Sequence, residues 1–302
     1  MRSTLRRRWA WAALTLACGA GACRRSPPSS AGAAVQLAAI EVIAHGWTAQ
    51  SVAPSPRELR GWIVQALPRD GALVATAGGA ARGPVYQLRL EVGLVGVGPG
   101  EGEDAPGQAA LAVGVRARAI PRPPAEGRVL QSNLAVRLPA GRAAVAQALR
   151  EATRRTVEGA VQALTFQAEL LVGSEPRLLA ALQRERGDRL GEAVETAAWR
   201  RCHAAVPRLL VLLRHDDPAI ADRVIGALVA IGDRRALPAL TRLARFEDTA
   251  RLAKLIDAIA TFGGDEARHY LEFVARGHPD PDIAAMAREA RARMSVTTPH
   301  SR

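Results

Sequence analysis

Lysine is all but missing from this chain: Lys254 is the only one among 41 basic residues. With so much alanine and glycine alongside, the arginine excess reads as the imprint of a GC-rich genome rather than as arginine chemistry. Cysteine is as sparse, with Cys18, Cys23 and Cys202 spread over 302 positions. Three such residues build no disulfide framework, so stability has to come from packing. Aromatic residues make up 4%, which leaves Ala, Val and Leu to fill the cores. The lack of aromatics between the basic residues also argues against nucleic-acid binding. HExxH, CxxC, EF-hand, GxSxG and SxxK patterns are absent, so the sequence carries no metal, cofactor or hydrolase motif. No catalytic, cofactor or metal residue is assigned, and the chain reads as a non-enzyme.

What is there is a period. Pro176, Pro207 and Pro238 stand 31 positions apart, with His269 in the next slot, and the apolar pattern PRLLAAL, PRLLVLL, PALTRLA, HYLEFVA recurs around them. Such a period marks stacked repeats, because one unit cannot bury its apolar face alone. Helix pairs are expected from Ser174 to Met294. Outer helices begin near Pro176, Pro207, Pro238 and Asp265; inner helices cover 189–201, 220–231, 251–262 and 283–294. Gly232 and Gly263 are placed to end successive inner helices in a left-handed conformation. Asp216-Asp217-Pro218, Glu247-Asp248 and His278-Pro279-Asp280 fall in the turns, where Asp and Pro cap the next helix. Leu210, in the second outer helix, is expected in the core. The last inner helix is more charged than the others, as an end cap should be.

The run HDDPAIADRVIGALVAIGDRRALPAL at 215–240 resembles a HEAT repeat of the short bacterial type found in phycobilisome-lyase-like proteins. The resemblance covers about four helical hairpins and implies an all-α solenoid with a protein-binding face. Nothing in the sequence matches a pigment site, so architecture alone carries over.

The first 22 residues read as an export signal: Arg2, Arg6, Arg7 and Arg8 precede a short apolar stretch, Trp9 to Ala17. The uncharged run to Ala22 is too short to span a bilayer, which needs about 20 apolar residues. Ala20-Gly21-Ala22-Cys23 resembles a bacterial lipobox, departing from it at Ala20, where the motif prefers Leu. That resemblance implies cleavage before Cys23 and its acylation (palmitate among the chains), and Arg24 implies transfer to the outer membrane, facing the periplasm. The competing reading is cleavage after Ala22, leaving a soluble periplasmic protein. Residues 24–34 form a Pro/Ser/Gly tether, and 295–302 read as a disordered tail.

Residues 35–171 read as an α+β domain, an antiparallel meander sheet with two helices. Strands are expected at 35–44, 74–75, 85–97, 109–120 and 129–138, and helices at 55–67 and 142–171. Ser55-Pro56-Arg57-Glu58 gives a capping box with Pro at the first helical position. Tyr86, Leu88, Leu90 and Val92 alternate with Gln87, Arg89 and Glu91, which separates a buried face from a wet one. Gly96–Gly102 looks like a phosphate loop but leads into acidic residues and another strand, so it reads as a hairpin loop.

Cys202-His203 is the only thiol–imidazole neighbourhood, and adjacent helical residues do not face one another, so it reads as packing. The sharper candidates lie on the inner helices. A 31-residue register stacks Glu192, Arg223 and Lys254 in one column, and Glu195, Gly226, Asp257 and Arg288 in another. These residues read either as ion pairs between repeats or as a mixed-charge groove for a protein partner, with Arg200-Arg201 and Arg234-Arg235 as a basic rim. The expectation is a non-enzymatic lipoprotein of the cell envelope that binds other envelope proteins, and the membrane through Cys23. The alternative is an enzyme or small-ligand binder with its site in 35–171 and the solenoid as adaptor.

Overall fold

The computed structural model describes residues 34–46, 54–68, 71–75, 83–97, 110–123, 127–138 and 145–296. The leader, Cys23, the tether up to residue 33, all of 98–109 and residues 297–302 lie outside the described residues, and the first two positions of the expected tail, 295 and 296, belong to the last helix. Among the described residues no helix is long and apolar enough to cross a membrane.

The first half is a five-stranded sheet with two helices. Strands β1 (Val35–His45), β2 (Leu73–Ala75), β3 (Val85–Val97), β4 (Ala110–Pro121) and β5 (Leu130–Leu138) assemble in the order β2-β1-β3-β4-β5. β3, β4 and β5 form the expected antiparallel meander, with Val92 opposite Val115 and Ala117 opposite Ser132. The sheet as a whole is mixed, however, and not antiparallel throughout. β1 runs parallel to both neighbours, with Val35 opposite Leu73 and Ile40 opposite Leu88. The reason lies in helix α1 (Pro56–Ala66), which separates β1 from β2. A helical crossover returns the chain in the same direction, where a tight turn would reverse it.

Helix α1 starts where the sequence says. The Glu58 N–H donates to Ser55 Oγ at 3.3 Å, and the Ser55 N–H donates to Glu58 Oε2 at 2.9 Å. Its Leu59 and Ile63, with Leu149, Val157 and Leu164 of helix α2 (Val145–Val172), pack on the Tyr86, Leu88, Leu90 and Val92 face of β3. Period-2 alternation along the strand and period-3.6 along the helices therefore meet in one core.

The second half stacks four helical hairpins: α3 (Glu175–Arg184) with α4 (Gly187–Trp199), α5 (Val206–Leu212) with α6 (Pro218–Ile231), α7 (Leu237–Leu243) with α8 (Thr249–Phe262), and α9 (Gly264–Gly277) with α10 (Pro281–Val296). Short 3-10 turns at His203–Ala205 and Arg234–Ala236 lead into α5 and α7. The Asp217 carboxylate accepts from the Ala219 N–H at 2.8 Å, and Asp248 from the Arg251 N–H at 3.0 Å, so both cap the helices that follow. Gly232 and Gly263 close α6 and α8 at φ 73° and 67°. One continuous core runs from Phe166 and Leu170 of α2 to Ala290 of α10. Of the adjacent pair in α5, Leu209 is the fully buried leucine; Leu210 is only partly covered. The boundary near residue 171 is blurred for the same kind of reason. Helix α2 sends Leu164 and Ala168 into the sheet core and Phe166 and Leu170 into the helical one.

Candidate protein-binding site

The charged residues of the inner helices are engaged with one another. Arg128, just ahead of β5, reaches across to α4. Its Nη1 donates to Thr196 Oγ1 at 2.7 Å and its Nη2 to Glu192 Oε2 at 3.0 Å, with a further ion pair to Glu195. The Arg128 carbonyl in turn accepts from the buried Tyr86 hydroxyl at 3.0 Å, which holds the loop in place. Burial pushes the Tyr86 phenol up to about 12. Burial also raises the Glu192 carboxyl above its ordinary range, against the pull of Arg128. Glu192 and Glu195 thus tie the sheet domain to the first repeat.

Further along the row, Arg223 pairs with Glu195 at 3.6 Å, Lys254 with Asp222 at 2.7 Å, and Asp257 with Arg293 at 2.6 Å, while Arg288 Nη1 donates to the Ala275 carbonyl at 3.3 Å. The three ion pairs run diagonally between neighbouring inner helices rather than straight down the 31-residue columns, and Arg288 turns to its own outer helix. Long side chains reach the nearest opposite charge on a twisted stack, and a fixed period ignores that twist. Such exposed pairs contribute about 0–1 kcal/mol each. The basic rim is similarly occupied. Arg200 Nη1 donates to the Leu170 and Gly173 carbonyls, both at 2.9 Å, and closes the end of α2. Arg235 pairs with Asp233 at 2.6 Å, and this partner holds the Asp233 carboxyl far below its usual range. His203 Nδ1 lies 3.2 Å from the same carboxylate, linking successive repeats.

Both turn histidines brace their own turns, and His278 Nε2 also lies 3.1 Å from the Phe246 carbonyl of the preceding hairpin. His215 Nδ1 accepts from the Asp217 N–H and His278 Nδ1 from the Asp280 N–H, each at 3.0 Å. Cys202 is buried, and burial raises its thiol. Its Sγ lies 3.6 Å from Glu175 Oε2.

An open apolar surface lies on the outer helices. A groove of 1580 Å³ runs between α5 and α7, with Leu210, Leu213, Ala239 and Leu243 in its floor. Val211 stands at its lip, 61% exposed. The same register position two repeats on is Phe273, also 61% exposed, its ring centroid 5.1 Å from that of Phe246. The gap has a local cause. Arg208 Nε donates to the Leu182 carbonyl at 3.1 Å, and Tyr270, 62 positions later in the repeat register, donates to the Ala244 carbonyl at 3.0 Å. Midway between them stands Ala239, whose methyl group bridges nothing. These outer-helix residues were not among the sequence candidates. The same 31-residue register would have found Val211 and Phe273, apolar residues two repeats apart on what should be a wet face, with Arg242 at the position between them.

A smaller pocket of 350 Å³ lies on the open face of the sheet, lined by His45, Glu91, Arg116 and Asn133 around the facing Gly93–Gly114 pair. Glu91 is paired there with Arg89 at 3.2 Å and Arg116 at 3.8 Å.

No curated protein gives a significant match to the chain. Residues 175–260 match the family model for HEAT repeats. That match spans α3 to most of α8, the first three of the four stacked hairpins, and the architecture of the helical half is that of a HEAT-like solenoid.

Proposed function

We propose that this chain is a non-enzymatic scaffold of the cell envelope that gathers other envelope proteins on its HEAT repeats, held at the membrane by a lipid on Cys23. HEAT repeats commonly mediate protein–protein contacts, because a stacked array offers a long continuous surface. The observation that carries the reading is the solvent-facing apolar surface of the outer helices, Val211 and Phe273 with the groove between α5 and α7. A single exposed apolar residue needs no explanation, but two in register, Val211 lining the groove and Phe273 lining a second hollow on α9, mark a contact surface. The leader, the Cys23 site and the tether support the address: outer membrane, facing the periplasm.

The test is affinity purification from envelope fractions, comparing the natural chain with a Val211→Asp/Phe273→Asp variant and an Arg223→Glu/Lys254→Glu variant. Loss of co-purified envelope proteins in either variant supports the scaffold. Full retention in both, with a small molecule found on the sheet domain by native mass spectrometry, would overturn it in favour of a ligand-binding protein using the pocket around Glu91.

A further inference from the structure

We propose that the groove between α5 and α7 docks an acidic, amphipathic segment of a partner protein. The inference rests on the scaffold reading and adds the chemistry of what binds. Its floor is apolar, and at 1580 Å³ it exceeds the roughly 300–1,000 Å³ of pockets that enclose small ligands. A groove of that size with a greasy floor and charged rim suits the apolar side of a polypeptide segment.

The rim sets the sign of the occupant. Arg214, Arg242 and Arg245 all line the groove and all are exposed. Among the described residues none of the three has a carboxylate within ion-pair distance; Arg242 Nε donates only to the Pro238 carbonyl, at 2.8 Å. Arg214 and Arg245 occupy one register position, 31 residues apart, so the repeat itself places cations along the rim. Of the acids at the groove, Asp248 is committed to capping α8 and to Arg251 at 3.7 Å, which leaves Glu247. The inner row is different: Arg223, Lys254 and Arg293 there each have a carboxylate. Three uncompensated guanidinium groups around a greasy trough favour Asp and Glu beside apolar residues on the incoming chain. A second copy of this protein is a poor occupant, since its net charge, +12 before the leader's four arginines are removed, stays positive against an already cationic rim.

The probes are two labelled helical peptides of about 14 residues, roughly four turns. Each carries Leu along one side, with Glu on the rest of the first and Lys on the rest of the second. Binding to the full-length protein is followed by fluorescence anisotropy. The Glu peptide is expected to bind at least about ten-fold more tightly than the Lys peptide, a difference of roughly 1.4 kcal/mol, and to weaken as salt rises. Arg242→Glu with Arg245→Glu should reverse the order, and Val211→Asp should weaken the Glu peptide. These side chains are exposed, so an unchanged melting temperature establishes that the variants fold.

Equal binding of the two peptides, or binding untouched by the groove substitutions and lost instead in Arg223→Glu/Lys254→Glu, overturns the proposal. So does a dimer in sedimentation velocity that the groove substitutions disperse. A gain in peptide affinity when Glu101, Glu103 and Asp104 are changed to Gln would assign the groove to this chain's own acidic stretch and overturn the partner assignment. If the groove variant keeps its co-purified envelope proteins while the inner-row variant loses them, the groove fails and the scaffold stands.

Discussion

Arg128 and Glu192 lie 64 positions apart in the chain and meet at 3.0 Å, one from the loop before β5 and one from the first inner helix. The side chain of Arg128 is only 15% exposed and that of Glu192 22%. A guanidinium so covered is held by three oxygens on α4, from Glu192, Glu195 and Thr196. It pins the sheet domain onto the repeats.

Arg128→Ala removes that pin and leaves Glu192 partly buried without its counter-charge. Deleting one partner of such a pair is expected to cost on the order of 2–4 kcal/mol, because the remaining charge is stranded. Denaturant unfolding checks the size. Arg128→Lys should recover little, since an ammonium cannot present the same fork to three acceptors.

Glu192 gives a pH dependence of its own. Burial holds its folded-state pKa above the ordinary value, so between the unfolded and the folded pKa the native state binds more protons than the unfolded one. The contribution of this residue is therefore fully present below the unfolded pKa and is lost as pH rises through the folded pKa. Glu192→Gln should flatten the stability–pH curve across that window and leave the rest of the curve in place. An unaltered slope in urea melts taken across mildly acidic pH would contradict the assignment.

Leu209→Ala and Leu210→Ala separate core from groove. Leu209 is fully buried in α5, and its truncation should cost about 2–5 kcal/mol. Leu210 lines the groove and is only partly covered, so its loss should cost about 1 kcal/mol. Paired thermal melts decide the matter, and equal costs would mean that the two side chains are placed wrongly.

Cys23→Ala should move the protein from the membrane to the soluble periplasmic fraction without changing its melting behaviour. The measurement is fractionation at high salt, which removes proteins held only by Arg24 and Arg25 at the lipid surface. Continued sedimentation with membranes under those conditions would contradict acylation.

The repeat array was largely legible in the sequence because its signals are local and redundant. Ile220–Ile231 was expected as an inner helix and the observed one is Pro218–Ile231, bounded by Asp217 at one end and Gly232 at the other. Ser55 and Glu58 announced α1 in the same way. What stayed hidden depends on partners far away in the chain. The apolar run of β1 marks a strand but does not say whether its neighbours run parallel. Arg128 sits in a loop with no periodicity, so nothing marked it as the residue that would take up Glu192 and Glu195. Leu209 and Leu210 are adjacent leucines, and only the packing of α5 decides which one points at the core.

Helix α2 has a practical consequence for anyone wishing to cut this molecule in two. A fragment beginning near residue 174 would lack Phe166 and Leu170 and open the first hairpin to water. A fragment beginning at 145 would keep them but carry Leu149, Val157 and Leu164 as a bare stripe with no sheet to cover it. Neither piece is a clean module, and the chain is best handled whole.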